Sequence, residues 1–160
     1  MTGEAPDVAA QSSASAVSCF RLMYHSRDRL DPDNRLAELS HLFTQARSAN
    51  KRLGITGALL VSGGWFVQVL EGSESDVRTV FGRIQHDPRN DAVQLLSAGC
   101  VGERVFAHWS MAKVSSDDHT DIPLIARVGE VSPTTGHGTT SAQDRLLDVM
   151  REAAHHALLP

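Results

Sequence analysis

Ile55-Thr56-Gly57-Ala58-Leu59-Leu60-Val61-Ser62-Gly63-Gly64-Trp65-Phe66-Val67-Gln68-Val69-Leu70 is the stretch on which the fold turns. Ile55 to Val61 is apolar and β-branched, Ser62-Gly63-Gly64 carries turn residues, and Trp65 to Leu70 resumes an extended pattern. The stretch predicts a β-hairpin, and it lies between two helical patterns. Upstream, Asp31-Pro32 starts a helix in which Leu36, Leu39, Leu42, Phe43, Ala46 and Ala49 recur at helical spacing until Gly54. Downstream, Ser73 with Asp76 three positions later has the form of a capping box for a helix carrying Val77, Val80, Phe81 and Ile84, which Pro88 stops. Glu71-Gly72 reads as the turn that ends the second hairpin strand.

Further out, Phe20, Leu22 and Tyr24 alternate along one face of an extended segment that begins at Ser18 and ends in the polar run Ser26 to Asp31. Val93 to Cys100 and Val105 to Val114 read as two more strands, joined by a polar turn from Gly102 to Arg104. The expected class is therefore α+β: a ferredoxin-like β-α-β-β-α-β order with an additional strand, both helices on one face of a mainly antiparallel sheet. Residues 1–16 are small, polar and acidic and read as a disordered tail; residues 17–114 form the core domain; residues 115–160 hold linker sequence and a C-terminal amphipathic helix. In that helix Leu146, Leu147, Met150, Ala153, Ala154 and Ala157 make one apolar stripe, which is expected to cover the open face of the sheet.

A chain of 160 residues suits one such domain, and its formal net charge of -4 offers no general attraction to phosphate backbones or anionic membranes. No apolar run approaches the roughly 20 residues that span a bilayer. Cys19 and Cys100 stand apart without a paired motif, which fits a reducing, cytoplasmic setting. The histidines, among them His86, His108, His119, His137, His155 and His156, lack metal-ligand spacing, so no metal site is expected.

Four blocks in order carry the functional reading: Arg21-Leu22-Met23-Tyr24-His25-Ser26, Asn50-x-x-x-Gly54-Ile55-Thr56-Gly57, Phe66-Val67-Gln68-Val69-Leu70-Glu71-Gly72 and Phe106-Ala107-His108-Trp109-Ser110-Met111. Over the core domain this set resembles the BLUF family, sensors of blue light that use FAD. The resemblance implies FAD, with FMN as the alternative, between the two helices, with Tyr24 and Gln68 facing the ring as its photochemical pair. It implies that Asn50 and Arg83 meet the polar edge of the ring, that Leu42 and Ile84 wall it, and that Trp109 and Met111 exchange environments during signalling. Such an exchange suits the shared face that i and i+2 have in a strand.

The chemistry suits those residue types. Tyr is an oxidisable phenol with a proton to donate, and the Gln amide can reverse its hydrogen-bonding sense without a change of charge. Three positions depart from the family pattern: Ala49 where a polar residue is frequent, Asn90 in Asp87-Pro88-Arg89-Asn90 where a histidine is frequent, and His25 after the tyrosine. The resemblance implies a photoreceptor acting on a separate downstream protein, with no catalytic module of its own, and a homo-oligomer is compatible with it. Two other readings of the scaffold are an RNA-recognition module, which lacks its basic element here, and a small enzyme such as a flavin reductase or acyl-phosphate hydrolase, for which no active-site set is visible.

Overall fold

The computed structural model describes residues 19–115, 120–123 and 141–158, with side chains of the final helix described as far as Ala154. The residues expected to form a disordered tail lie outside this set, as do 124–140 of the linker.

The hairpin forms as its sequence requires. Strands β2, Thr56–Ser62, and β3, Trp65–Gly72, pair antiparallel with Ser62 opposite Trp65. The turn between them places both Gly63 (φ 57°) and Gly64 (φ 88°) in the left-handed region, which side chains disfavour and a tight hairpin turn demands. Strand β1, Cys19–Asp28, runs antiparallel to β3 on its other side and continues through Ser26 and Arg27, where the polar run was expected to end it. Strand β4, Asn90–Val101, pairs antiparallel with β1.

Helix α1, Arg35–Leu53, follows one turn of 3-10 helix whose N-cap, Asp31, accepts from the Asp33 amide; Gly54 closes α1 in the left-handed conformation at φ 68°. Helix α2, Glu74–Gln85, begins at Ser73, whose hydroxyl accepts from the Asp76 amide at 3.2 Å. Leu36 departs from the expected stripe. It is 78% exposed, because it belongs to the first turn and α1 meets the core only from Leu39 onward.

The sheet order is β4-β1-β3-β2-β5-β6, where β5 is Ala112–Ser115 and β6 is Ile122–Pro123. Its first four strands are antiparallel in ferredoxin-like order, and β2–β5 and β5–β6 pair parallel. The strand expected over Val105–Val114 is thus shortened to its last residues. Ahead of it the Val105 and Phe106 amides donate to the Glu71 carboxylate at 2.7 and 2.9 Å, and the Trp109 amide donates to the Phe106 carbonyl at 3.0 Å. With these three donors committed to a side chain and a turn, the segment does not extend the ladder. Glu71, expected in a turn, lies within β3 and is fully buried.

Two cores lie on the two faces. Phe20, Leu22, Tyr24, Phe66 and Leu70 face α1 and α2 with Leu39, Phe43 and Val77. Met23, Val67, Val69, Phe106 and Val114 face the opposite way and are covered by Leu147, Met150 and Ala154 of α3, Ser141–Leu158. The expected docking of the last helix on the open face is what the structure has. Leu147 and Met150, buried in this way, contribute about 1.5–3 kcal/mol each, and Gln143 adds a 2.8 Å hydrogen bond from Nε2 to the Val105 carbonyl.

Glu71 joins these parts: besides the two amides it pairs with Arg21 at 3.0 Å and accepts from the Thr56 hydroxyl at 3.2 Å. Glu71→Ala leaves two amides without an acceptor and the partly buried Arg21 guanidinium without its counter-charge, so a loss of about 3–5 kcal/mol is expected. Chemical denaturation checks it, with Glu71→Gln expected to lose less because the amide oxygen still accepts.

Candidate functional site

Between α1 and α2, on the sheet face they cover, lies a cleft of about 260 Å³. One wall is Leu42, Ala46, Ala49 and Asn50 of α1, the other Val80, Arg83 and Ile84 of α2, and the floor is Leu59, Phe66 and Gln68. Gln45, Asp87, Arg89 and Asn90 complete the lining. Ala46 and Ala49 matter by their size: two small residues on the face that also carries Leu42 and Asn50 leave the space between the helices unfilled. The same Ala49 that lacks a hydrogen bond to offer therefore leaves room.

Gln68 and Tyr24 stand directly opposite each other across β3 and β1, so their side chains leave the sheet side by side on the helix-covered face. The Tyr24 hydroxyl donates to Gln68 Oε1, and Gln68 Nε2 lies 3.4 Å from the Met111 sulfur, which accepts. A phenol, an amide and a thioether form one oriented chain. Tyr24 is the single tyrosine of the protein, is 3% exposed, and packs its ring 5.3 Å from that of Phe81. It sits behind Gln68 and is not among the residues lining the cleft. Burial pushes its phenol well above the usual range and the charge of Asp87 adds to the effect, so the hydroxyl keeps its proton.

Asn50 lines the cleft and donates through Nδ2 to the Ser110 carbonyl at 2.9 Å; its Oδ1 accepts nothing from the described residues. Arg83 lines the cleft, and its guanidinium makes no ion pair or hydrogen bond among the described residues. A slot with apolar walls, the amides of Asn50 and Gln68 among its polar groups and the Arg83 cation fits a flat aromatic ring with one polar, hydrogen-bonding edge, which is the chemistry of a flavin. Leu42, Asn50, Gln68, Arg83 and Ile84 all reach it.

The Trp109 and Met111 pair differs from expectation. Met111 belongs to the core under α1 and α2, whereas Trp109 packs against the core that α3 covers. The i, i+2 rule fails because residue 109 precedes β5 and lies in the irregular segment, fastened by its carbonyl to the Gly57 amide at 3.0 Å. Asn90, where a histidine is frequent in the family, donates through Nδ2 to the Ile84 and Asp87 carbonyls at 3.0 and 2.9 Å and so ties off the end of α2. Arg89 was not singled out from the sequence. It chelates Asp87, whose carboxyl its hydrogen bonds hold below the usual range, and reaches across to Gln45 Oε1 at 2.9 Å. Nothing in local sequence pattern marks Gln45, a polar residue on an exposed helix face. Among the described residues no group of three or more His, Cys, Asp or Glu is placed to hold a metal, and no described helix is long and apolar enough to cross a membrane.

The family profile described as BLUF, sensors of blue-light using FAD, matches residues 19–112. The photoactivated adenylate cyclase subunit alpha of Euglena gracilis is 33% identical over 112 residues, which are 68% of this chain and 11% of that protein. The chain thus spans only a small part of that relative. Among solved structures, BlrB, a BLUF protein in its dark state, is 38% identical with a TM-score of 0.58, covering 62% of this chain and 74% of that one. Klebsiella pneumoniae BlrP1 with FMN and cyclic diGMP is 37% identical with a TM-score of 0.55, covering 61% of this chain and 26% of that one.

The raised phenol has a pH consequence. Because the folded state holds the Tyr24 proton more tightly than the unfolded chain, its contribution to stability is complete below the unfolded value of about 10 and is lost as pH rises beyond it. With one tyrosine in the chain, ultraviolet titration is expected to show no phenolate until the protein unfolds, and then one group titrating at once.

Proposed function

The chain belongs to the BLUF family, the sensors of blue light using FAD, and on that premise we propose that Tyr24 and Gln68 are its photochemical pair and that Met111 carries the change away from the flavin. The protein is a flavin-using blue-light sensor. Leu42 and Ile84 wall the ring, and Asn50 and Arg83 hold its polar edge. The observation that carries the reading is the oriented chain from the Tyr24 hydroxyl to Gln68 Oε1 and from Gln68 Nε2 to the Met111 sulfur.

Bound flavin supplies a strong one-electron oxidant when it absorbs blue light. Tyr24 would supply that oxidant with an electron and release its phenolic proton along the hydrogen bond to Gln68, and would recover both in the reverse transfer. Gln68 returns neutral but with its ends exchanged, Nε2 toward Tyr24 and Oε1 toward Met111. A thioether can accept a hydrogen bond and cannot donate one, so the reversed amide, still able to donate from Nε2 to the Tyr24 oxygen, sets Oε1 against a second acceptor and Met111 must give way. The Met111 backbone is continuous with Ser110 and Trp109, and Trp109 packs on the α3 side of the sheet. Movement at Met111 is thereby delivered to the opposite face.

The output is read by a separate partner protein in the cytoplasm. Residues 17–114 form the sensing unit, and residues 115–160 carry the signal through α3; the chain is not itself an enzyme. Support comes from α3, which covers the face that Trp109 reaches, and from the net charge of -4, which disfavours nucleic acid as the reader.

Purified protein is expected to carry flavin and to show a reversible red shift of its absorption under blue light. Gln68→Leu keeps the flavin and abolishes the shift, and Tyr24→Phe suppresses it; a normal shift in the Leu variant would remove Gln68 from the mechanism.

A further inference from the structure

Arg47 lies on α1 outside the cleft, with its side chain 42% exposed, and it reaches Met111 from the other side. Its Nε donates to the Met111 backbone carbonyl at 3.0 Å, and its Nη2 donates to Asp121 Oδ2 at 2.7 Å. The Asp121 carboxylate also accepts from the Lys113 amide at 2.8 Å, while the Asp121 amide donates to the Lys113 carbonyl at 2.9 Å. One guanidinium thus fastens Met111 to the start of β5 and to the residue before β6. It is itself held over the Phe43 ring, 5.0 Å from the centroid.

The arrangement repeats one residue earlier, where Asn50 holds the Ser110 carbonyl. Consecutive carbonyls are therefore gripped by two side chains of the same helix, one inside the cleft and one outside it. A methionine side chain is flexible and specifies little by itself; what fixes its sulfur opposite Gln68 is the backbone from which it grows. The Arg47–Asp121 pair is too exposed to matter much for stability, which leaves geometry as its contribution.

We propose that Arg47 is a positioning residue: by holding the Met111 carbonyl it keeps the sulfur within reach of Gln68 Nε2, and so sets the balance between the two orientations of the Gln68 amide. This rests on the reading of Gln68 and Met111 given above. Removing the guanidinium frees Met111 to retreat, which weakens the dark orientation relative to the reversed one. The return from the lit to the dark state slows accordingly.

The test uses the flavin-loaded protein with Arg47→Ala, Arg47→Lys and Asp121→Asn, and alongside it the Met111 methyl resonance of the flavin-free protein. In Arg47→Ala flavin content is expected to match the parent, dark return to slow about tenfold, the scale of one hydrogen bond to a charged donor, and the methyl resonance to move. Arg47→Lys keeps a charged donor and recovers part of both effects, and Asp121→Asn gives a smaller change in the same direction. Parent-like dark return with an unmoved methyl in Arg47→Ala would overturn the proposal. Should the parent itself show no light-induced shift, the photochemical reading is what fails, and the methyl position still decides whether Arg47 places Met111.

Discussion

The hydrogen bond from the Tyr24 hydroxyl to Gln68 Oε1 orders the centre of the molecule. An amide has unlike ends, so once its oxygen is committed to a phenol its nitrogen must find an acceptor, and in this core the acceptor is sulfur. The orientation of Gln68 is therefore set by chemistry more than by shape, and it can be reversed without moving a charge into an apolar interior. The β1–β3 register that places Tyr24 beside Gln68 is the structural condition for it.

That register is secured from both ends. The glycine pair of the hairpin turn fixes where β3 begins, and Glu71 fixes its far end by binding β1 through Arg21, β2 through Thr56 and the segment before β5 through two amides. The segment from Phe106 to Met111 is consequently irregular but anchored. It contributes Met111 to one face of the sheet and Trp109 and Phe106 to the other, where α3 lies. A ladder strand could also present alternate residues to both faces, but it would be locked by its own hydrogen bonds; here Glu71, Asn50, Arg47 and Gly57 supply discrete fastenings that can be released singly.

Most of the fold is legible in the sequence because its signals are local. The hairpin announces itself by Gly63-Gly64, α2 by Ser73 and Asp76, and the close of α1 by Gly54. What escapes local reading is the stretch from Val105 to Met111, whose first two amides are satisfied by a carboxylate on a distant strand, so that an apolar, strand-like pattern does not become a strand until Ala112. The parallel pairing of β5 with β2 is hidden for the same reason. At the site, Leu42, Asn50, Gln68, Arg83 and Ile84 are found through the family blocks and do line one cleft, with Tyr24 behind Gln68. Arg47, Gln45 and Arg89 are not, since polar residues on exposed helix faces and in turns are ordinary until their partners are known.

The orientation of one amide can be observed directly. Protein labelled with carbon-13 at the glutamine side-chain carbonyl, measured as a light-minus-dark infrared difference, should show a glutamine carbonyl band that shifts on illumination, returns in the dark with the flavin absorption, and is missing when position 68 is leucine. A difference spectrum in which the flavin bands change and no labelled carbonyl band responds would contradict the central role given to Gln68.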